Sequence, residues 1–268
     1  MKKIHYKHDL GQHFLYDEAL LAHLVESTGI TKEENVLEIG AGSGMLTTAL
    51  CQQAHSVVSV EVDAQVIPFL RLKTEGFTNL TIVQGDIRKQ DLSSLCAPLG
   101  EDFYVIANIP YNISTPIFLM LWQSNLPIKQ ISVMIQKEVA EKLVATPKSS
   151  AYSYTSVLCQ YYCVPHIVTE VPKEAFTPPP KVDSAFVTMQ MRKTPPLPVA
   201  NEKLLFRIMK ANFLKRRKTL TNALSGVVED APLRAAMTQL GMAPTLRGEK
   251  LTIEEWITLA NTYNDLSS

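Results

Sequence analysis

The chain has 268 residues, of which 46% are apolar and 19% charged, and its 26 basic and 26 acidic residues give a formal net charge of zero. This composition is typical of a globular protein and excludes a disordered or collagen-like chain. The neutral total also excludes a basic field over the whole molecule, so any nucleic-acid binding must use a local patch.

Short runs rich in β-forming residues alternate with helical patterns through most of the chain. This alternation predicts an α/β fold with parallel strands joined by crossover helices. The predicted strands are Asn35–Ile39, Ser56–Val60, Leu80–Val83, Phe103–Ala107 and Gln130–Ile135, and the predicted helices are Met45–Gln53, Ala64–Thr74 and Thr115–Trp122. Two later runs, Tyr162–Val168 and Ala185–Met191, flank a proline-rich loop with no place for a helix, which predicts antiparallel pairing at a sheet edge.

The first predicted strand runs into a glycine-rich turn with the pattern G-x-G-x-G at Gly40, Gly42 and Gly44. Glycines permit positive φ and let a ligand approach the backbone closely. A dinucleotide-binding fingerprint has its third glycine one residue later, and the Gly-Lys-Ser/Thr of a phosphate-binding loop does not follow. Among the common nucleoside cofactors this leaves S-adenosylmethionine, which carries no phosphate. A tight turn without a ligand is the alternative.

Two carboxylates follow the next two strands, at the same edge of the predicted sheet. Glu61 comes about twenty residues after the glycine turn, where a carboxylate can accept both hydroxyls of a ribose. Asp86 follows the third strand and can accept a hydrogen bond from the amine of an adenine. An aspartate in this position is also typical of a turn or a helix cap. Together with the glycine turn, the two residues predict a nucleoside site.

The fourth strand is followed by Asn108-Ile109-Pro110-Tyr111, which suits methylation of an adenine amine. The lone pair of that amine is delocalised into the ring, and acceptors on both N–H groups localise it. The Asn108 side-chain oxygen and the Ile109 carbonyl can be those acceptors, while Pro110 stiffens the turn. Tyr111 offers a ring for an extruded base, worth about 1–3 kcal/mol. In-line positioning supplies most of the acceleration, up to about 7–11 kcal/mol, and no general base is required. The alternative is a simple turn.

The segment Thr194–Pro198 divides the chain, because proline fixes φ and removes a backbone donor. Beyond it the pattern is only helical. The predicted helices are Glu202–Phe213, Lys218–Leu224, Pro232–Leu240 and Thr252–Tyr263, the last with a capping box at its start. The sequence therefore predicts a cofactor-binding α/β domain over residues 1–193 and a small all-helical domain over residues 199–268.

Residues 201–225 hold seven basic side chains against one acidic side chain. The basic residues are Lys203, Arg207, Lys210, Lys215, Arg216, Arg217 and Lys218. Such a cluster neutralises phosphates and releases counterions, whereas a solvated helix face is the alternative. We predict RNA contact through the last five of these residues, and we expect binding to weaken steeply with salt.

Six stretches together resemble the ribosomal RNA adenine N6,N6-dimethyltransferase family and, within it, the bacterial small-subunit branch. They are Gly11–Leu15, Glu38–Gly44, Asn108–Thr115, Gln136–Val139, Phe176–Ser184 and Arg216–Leu220. The resemblance implies a Rossmann-like class I methyltransferase domain with a seven-stranded, mostly parallel sheet, followed by a helical RNA-binding domain. It also implies S-adenosylmethionine-dependent dimethylation of two adjacent adenosines in the 3′-terminal hairpin of 16S rRNA, within the small ribosomal subunit or its precursor.

The same resemblance implies roles for individual residues. The implied cofactor contacts are His13, Leu15, Gly40, Gly42, Glu61, Asp86 and Asn108. The family commonly has asparagine in place of His13, and either residue can hydrogen-bond through its backbone. Leu15, with Phe14, also fits an apolar plug for the N-terminal segment. Phe176 resembles the aromatic residue that covers the second face of the target base, with a buried strand residue as the alternative.

Other sequence features predict a reduced, intracellular protein. No run of about 18 apolar residues and no secretory signal is present, so we expect a cytoplasmic protein. We also expect a monomer. The cysteines Cys51, Cys96, Cys159 and Cys163 form no C-x-x-C pair and fit no zinc spacing. We expect them to be reduced core residues, and we expect no metal site.

Rival functions remain open. A large-subunit rRNA adenine methyltransferase of the antibiotic-resistance type shares the glycine turn and the Asn-Ile-Pro-Tyr stretch, but Gln136–Val139 and Arg216–Leu220 favour the small-subunit branch. The second rival is a non-enzymatic role as a ribosome-assembly checkpoint factor that holds immature small subunits. One protein can have both this role and the catalytic one. A DNA adenine methyltransferase is disfavoured because nothing resembles a sequence-reading module.

Overall fold

A computed structural model describes residues 13–267 of the chain. Gly11 and Gln12, part of the first resembling stretch, lie outside these residues, as do residues 1–10, where a secretory signal would begin. In chain order the strands are β1 (Phe14–Leu15), β2 (Asn35–Ile39), β3 (Ser56–Glu61), β4 (Leu80–Gln84), β5 (Phe103–Asn108), β6 (Ile128–Gln136), β7 (Cys163–Val171), β8 (Phe176–Thr177) and β9 (Ser184–Met191).

The helices of the described chain have three to four turns or fewer, apart from the last. They are α1 (Glu18–Ser27), α2 (Met45–Gln53), α3 (Ile67–Lys73), α4 (Leu92–Cys96), α5 (Ser114–Trp122), α6 (Lys137–Val144), α7 (Tyr154–Tyr162), α8 (Glu202–Leu214), α9 (Leu220–Leu224), α10 (Asp230–Gln239) and α11 (Ile253–Ser267). The sequence reading missed α1, although Asp17 signals its start: the Asp17 carboxylate accepts the Leu20 N–H at 3.0 Å.

The described chain forms two compact units. The first comprises residues 13–140 and 166–191, and the second comprises residues 141–165 and 192–267. The second unit thus includes a stretch that the predicted division into residues 1–193 and 199–268 assigns to the first. The physical reason is that Tyr152, Val157 and Tyr161 are buried in the apolar core formed with the C-terminal helices.

Seven strands of the first unit form one sheet in the order β4-β3-β2-β5-β6-β9-β7. The strands β2 to β6 are all parallel, and β9 runs antiparallel to β6. β7 follows β9 at the edge. The predicted seven-stranded, mostly parallel sheet of an α/β fold is therefore confirmed.

The central strands of this sheet are buried on both faces, which explains their continuous apolar sequence. Val36 and Leu37 of β2 and Val105 and Ile106 of β5 are fully buried. Burial of one such side chain contributes about 1.5–3 kcal/mol to folding, so these residues fix the strands firmly. Because β2 to β6 are parallel, their carboxyl ends lie at one edge of the sheet. The polar residues that follow these strands lie at the same edge.

The second unit is helical and packs around Trp256 of α11, which is fully buried with Leu205, Met209 and Leu224. The predicted capping box at the start of α11 is confirmed, because the Thr252 and Glu255 side chains each accept the other residue's backbone N–H, at 3.2 and 2.8 Å. All four cysteines are buried. None of the helices described between residues 13 and 267 has the length and apolar character to span a bilayer.

Candidate active site

A cavity of about 280 Å³ opens at the carboxyl edge of the sheet in the first unit. Small-molecule sites commonly have volumes of about 300–1,000 Å³, so the cavity lies near the lower end of that range. The cavity is lined by all seven predicted cofactor residues, which are His13, Leu15, Gly40, Gly42, Glu61, Asp86 and Asn108. It is also lined by the rest of the Asn-Ile-Pro-Tyr stretch, which is Ile109, Pro110 and Tyr111. The structure thus brings together residues that lie up to 98 positions apart, from His13 to Tyr111.

The glycine turn adopts a backbone that other residues rarely adopt. Gly40, Gly42 and Gly44 have φ values of +79°, +52° and +85°. A Cβ atom on Gly42 would lie 2.7 Å from the ring of Phe14, so this turn is covered closely by β1. Both the torsion angles and the close contact require glycine, which is why the turn can present its backbone to the cavity.

Glu61 connects the glycine turn to the end of β3. Its carboxylate accepts the Gly42 N–H at 2.8 Å with one oxygen and the Asp63 N–H at 2.7 Å with the other. Burial raises the pKa of Glu61 above its ordinary value, and the hydrogen bonds from Asp63 and Gly42 act in the opposite direction. A carboxylate has about four lone-pair positions, so each oxygen keeps capacity for a further donor such as a ribose hydroxyl.

Glu38, in β2 just before the turn, is a functional candidate that the sequence reading did not assign. One carboxylate oxygen accepts the hydroxyls of Thr47 at 2.7 Å and Ser59 at 2.5 Å. The other oxygen has no hydrogen-bond partner among the described residues, and burial raises the pKa of Glu38 to about 7. Glu38 ties β2 to α2 and β3 behind the turn. Its signal in the sequence is a carboxylate inside an otherwise apolar strand.

Asp86 lines the cavity as an ion-paired residue. Its carboxylate accepts hydrogen bonds from the Arg88 side chain, from Nε–H at 3.0 Å and Nη2–H at 2.7 Å, and from the Arg88 backbone N–H at 3.0 Å. The side-chain hydrogen bond from Arg88 lowers the pKa of Asp86, so the group is an ionised acceptor. Asp86 also caps the short helical turn Ile87–Lys89, so the turn-residue alternative applies as well. The sequence reading missed Arg88.

Asn108 ends β5 with its amide held by the N-terminal strand. The Asn108 Nδ2 donates to the His13 carbonyl at 3.1 Å, which turns Oδ1 away from His13. The next residue, Ile109, is buried, and its N–H points to the carbonyl of Met134 on β6 at 3.4 Å. These two bonds fix the start of the Asn-Ile-Pro-Tyr stretch at the sheet edge.

Tyr111 is held from two sides. Its ring stacks on the His13 imidazole with a centroid distance of 5.6 Å and an interplanar angle of 24°. Its hydroxyl lies 2.6 Å from the Ser184 hydroxyl. Burial raises the pKa of Tyr111, with the Ser184 hydrogen bond acting in the opposite direction. The His13 Nδ1 lies 2.7 Å from the Pro178 carbonyl, which can only accept, so this nitrogen carries a proton.

Phe176 differs from the other predicted site residues. It is 1% exposed, pairs with Leu15 through the β1–β8 ladder and packs with Leu21 and Phe186. Among the described residues that line the cavity, Phe186 is present and Phe176 is not. The structure therefore matches the buried-strand alternative for Phe176 in this state, and its contact with a base stays a prediction.

The predicted RNA-binding residues lie in the second unit and divide into two kinds. Lys210, Lys215, Arg217 and Lys218 are exposed. The guanidinium of Arg216 instead donates to the Glu249 carboxylate at 2.5 Å and to the carbonyls of Ser150 and Ser149 at 2.8 and 3.0 Å. Arg216 therefore holds the turn that carries its neighbours.

The donors and acceptors of the cavity fit a particular class of ligand. Two carboxylates, those of Glu61 and Asp86, face it. Among the lining residues within 13–267, the one Lys or Arg is Arg88, and it is already bound to Asp86. Acceptors of this kind suit the hydroxyls and amines of a nucleoside and a positively charged centre, and they repel phosphate.

The chain has relatives among known proteins. A family model described as ribosomal RNA adenine dimethylase matches residues 3–265. The chain is 40% identical over 262 residues to ribosomal RNA small subunit methyltransferase A of Lachnoclostridium phytofermentans, covering 95% of this chain and 90% of that one. It resembles the crystal structure of a dimethyladenosine transferase from Plasmodium falciparum with a TM-score of 0.78 and 25% identity, covering 95% and 98% of the two chains. It resembles the 23S rRNA methyltransferase ErmE with a TM-score of 0.74 and 25% identity, covering 94% and 99%.

Proposed function

The chain belongs to the ribosomal RNA adenine dimethylase family, and on that premise we propose that it dimethylates N6 of two adjacent adenosines in the 3′-terminal hairpin of 16S rRNA during small-subunit biogenesis. It is an rRNA adenine methyltransferase of the small-subunit type. The observation that carries the proposal is one cavity lined by the glycine turn, Glu61 and the Asn108–Tyr111 stretch.

S-adenosylmethionine is the proposed methyl donor, and when bound it supplies an electrophilic methyl group on a sulfonium. Glu61 would accept the ribose hydroxyls with the lone pairs left by its two backbone bonds. Asp86, ionised beside Arg88, would accept from the adenine amine. The backbone of Gly40, Gly42, His13 and Leu15, with the side chain of Asn108, completes the proposed binding set.

The target amine is activated by acceptors rather than by a base. The Asn108 Oδ1 and the Ile109 carbonyl accept its two N–H groups and localise the nitrogen lone pair. The His13 carbonyl contributes by holding the Asn108 Nδ2, so that Oδ1 remains available to the substrate. Neither acceptor is basic, and the amine proton passes to water after it has become acidic. Preorganised acceptors of this type contribute about 10²–10³ in rate.

The target base is held by stacking. Tyr111 offers one face of its ring, with Phe176 as the proposed cover on the other side of the base. Stacking of one base on an aromatic ring is worth about 1–3 kcal/mol, enough to offset much of the unstacking that extrusion requires. The exposed residues Lys210, Lys215, Arg217 and Lys218 supply phosphate contacts.

The proposed partner is the small ribosomal subunit or its precursor. One chain supplies every predicted cofactor residue and the whole Asn108–Tyr111 stretch to the cavity, so a monomer is the proposed active form. An assembling ribosomal subunit as substrate makes the cytoplasm the proposed location.

The experiment supplies S-adenosylmethionine with a labelled methyl group, together with under-methylated small and large ribosomal subunits. The modified nucleotide is then mapped by mass spectrometry. We expect label only on adjacent adenosines near the 3′ end of small-subunit RNA. Label on large-subunit RNA supports the antibiotic-resistance alternative, which the fold alone allows because the 23S enzyme ErmE has a similar structure. Tight subunit binding without label supports a checkpoint factor.

A further inference from the structure

The hydroxyl of Tyr111 has a partner on a strand that is distant in sequence. Its Oη lies 2.6 Å from the Oγ of Ser184, the first residue of β9, and 73 positions separate the two residues. In the sequence, Ser184 is only the last residue of the stretch Phe176–Ser184, and no chemistry is assigned to it there. The contact ties the Tyr111 side chain to the sheet.

The strand order explains how the two residues meet. β5, β6 and β9 are consecutive neighbours in the sheet. At the carboxyl end of β6, Met134 pairs with Asn108 of β5, and Gln136 pairs with Ser184 of β9. The Asn108–Tyr111 stretch leaves β5 and reaches across the end of β6, so that Tyr111 contacts the neighbouring strand. Its near end is fixed by Asn108 and its far end by Ser184.

The burial of Ser184 makes this contact specific. Ser184 is fully buried, whereas Tyr111 is half-buried and faces the cavity. A buried hydroxyl requires a hydrogen-bond partner, and a serine hydroxyl can act as donor and acceptor. The neighbouring backbone is part of the β6–β9 ladder, so Ser184 has little freedom to follow Tyr111 if the ring moves. Ser184 therefore acts as a fixed point for the half-buried Tyr111 side chain.

We propose that Ser184 is a positioning residue for methyl transfer: its hydroxyl anchors the Tyr111 hydroxyl and so sets the plane on which the target adenine stacks. This inference rests on the proposed function, in which Tyr111 stacks on the base. If the Tyr111 ring tilts, the stacked base tilts with it, and the amine nitrogen of the base is then no longer aligned with the methyl donor. Ser184 is not among the described residues that line the cavity, so in this proposal it acts through Tyr111.

The variants Ser184→Ala, Tyr111→Phe and the double variant test the proposal as a double-mutant cycle. Tyr111→Phe keeps the ring and removes only the hydroxyl. Loss of one hydrogen bond predicts a fall in kcat of about three- to tenfold in each single variant. The double variant is expected to fall no further, because both changes remove the same bond. Binding of the small subunit and calorimetric binding of S-adenosylmethionine are expected to stay at wild-type values.

The matched control is Ser132→Ala. Ser132 is an equally buried serine of β6, and its hydroxyl accepts a hydrogen bond from Gln130. We expect wild-type kcat for this variant, which separates the loss of a buried hydroxyl in general from the loss of the Tyr111 anchor.

The outcomes separate the inference from the function on which it rests. Wild-type kcat in Ser184→Ala, or additive losses in the double variant, overturns the positioning role. If Ser184→Ala does not fold, Tyr111→Phe decides alone: a three- to tenfold loss supports the proposal, and wild-type kcat overturns it. Tyr111→Ala tests the underlying function, because a wild-type rate in that variant removes the stacking role itself.

Discussion

The cavity of the first unit and the basic segment Lys210–Lys218 of the second unit were both predicted from sequence, but they differ in how the side chains are held. In the cavity, the polar residues follow the ends of parallel strands, and Glu61 and Asn108 have defined partners. In the basic segment, the residues were predicted from their charge and from the resembling stretch Arg216–Leu220, neither of which indicates side-chain partners, and Arg216 forms internal bonds whereas Arg217 is exposed. The position of a motif at a strand end therefore predicts where its side chains lie, whereas a run of like charges does not.

The two regions also differ in their electrostatics. Burial in the first unit raises the pKa of Glu38 to about 7 and that of Glu61 above its ordinary value. The exposed cations of the second unit are screened by water and salt, and single ion pairs there contribute about 0–1 kcal/mol. Substitutions in the cavity should therefore have large and local effects, and substitutions of the exposed residues Lys210, Lys215, Arg217 and Lys218 small and additive effects.

Asn108→Ala gives the sharpest test of the cavity. We expect methyl transfer to fall by about 10²–10³, because a preorganised acceptor is lost, while subunit binding changes by less than about twofold. Single-turnover transfer and subunit binding measure the two quantities. Asn108→Asp keeps a side-chain acceptor and should retain part of the rate. A parallel fall in binding would instead make Asn108 an RNA-holding residue.

Glu38→Gln tests the buried carboxyl behind the glycine turn. Because the folded pKa of Glu38 is raised from 4.5 to about 7, folding favours the protonated form. This contribution to stability is complete below the unfolded pKa and is lost as pH rises from about 4.5 through 7. Between pH 5 and 8 the wild type should lose about 2 kcal/mol of unfolding free energy that Glu38→Gln does not lose.

The measurement is chemical denaturation at several pH values. The amide of Glu38→Gln can still accept the Thr47 and Ser59 hydroxyls, so the variant isolates the charge. Equal pH dependence in the two proteins would show that Glu38 does not titrate differently in the folded state.

Gly42→Ala tests the close cover of the glycine turn. A Cβ atom at Gly42 meets the Phe14 ring at 2.7 Å, in a residue with φ of +52°, so either β1 or the turn must move. We expect affinity for S-adenosylmethionine to fall by at least about tenfold, in line with a strain of about 1–3 kcal/mol. Calorimetry measures it. The control is Gly76→Ala, where φ is +95° but no atom lies within 4 Å of the added Cβ. Equal loss of affinity in both variants would contradict a local effect.

Arg216→Gln and Arg217→Gln test whether a structural and an RNA-binding role are separate within the basic segment. Loss of the Arg216 bonds to Glu249, Ser149 and Ser150 should destabilise the protein by about 1–3 kcal/mol and leave the salt dependence of RNA binding unchanged. Arg217→Gln should leave the melting temperature unchanged and reduce the slope of log affinity against log salt by about 1. Thermal melting and binding over a salt series give both values. A reduced slope in Arg216→Gln would show that Arg216 contacts phosphate.

Much of the fold followed from local patterns. The apolar strands β2, β3 and β5 and the capping box of α11 were predicted closely, because strand burial and capping depend on neighbouring residues. The compact units place the stretch 141–165 with the C-terminal helices, whereas the predicted division places it before them, because the burial of Tyr152 and Tyr161 depends on helices that come later in the chain.

The sequence by itself determined which chemistry is available: a glycine turn without a phosphate loop, carboxylates one strand apart, an Asn-Ile-Pro-Tyr stretch and a basic cluster. Residue type and spacing suffice for these because the carboxyl ends of parallel strands share one edge. Only the tertiary structure decided that the Ser184 hydroxyl contacts the Tyr111 hydroxyl, that Arg216 forms internal bonds and that Phe176 is buried. Each of these depends on contacts between segments tens of residues apart, which strand order and packing bring together.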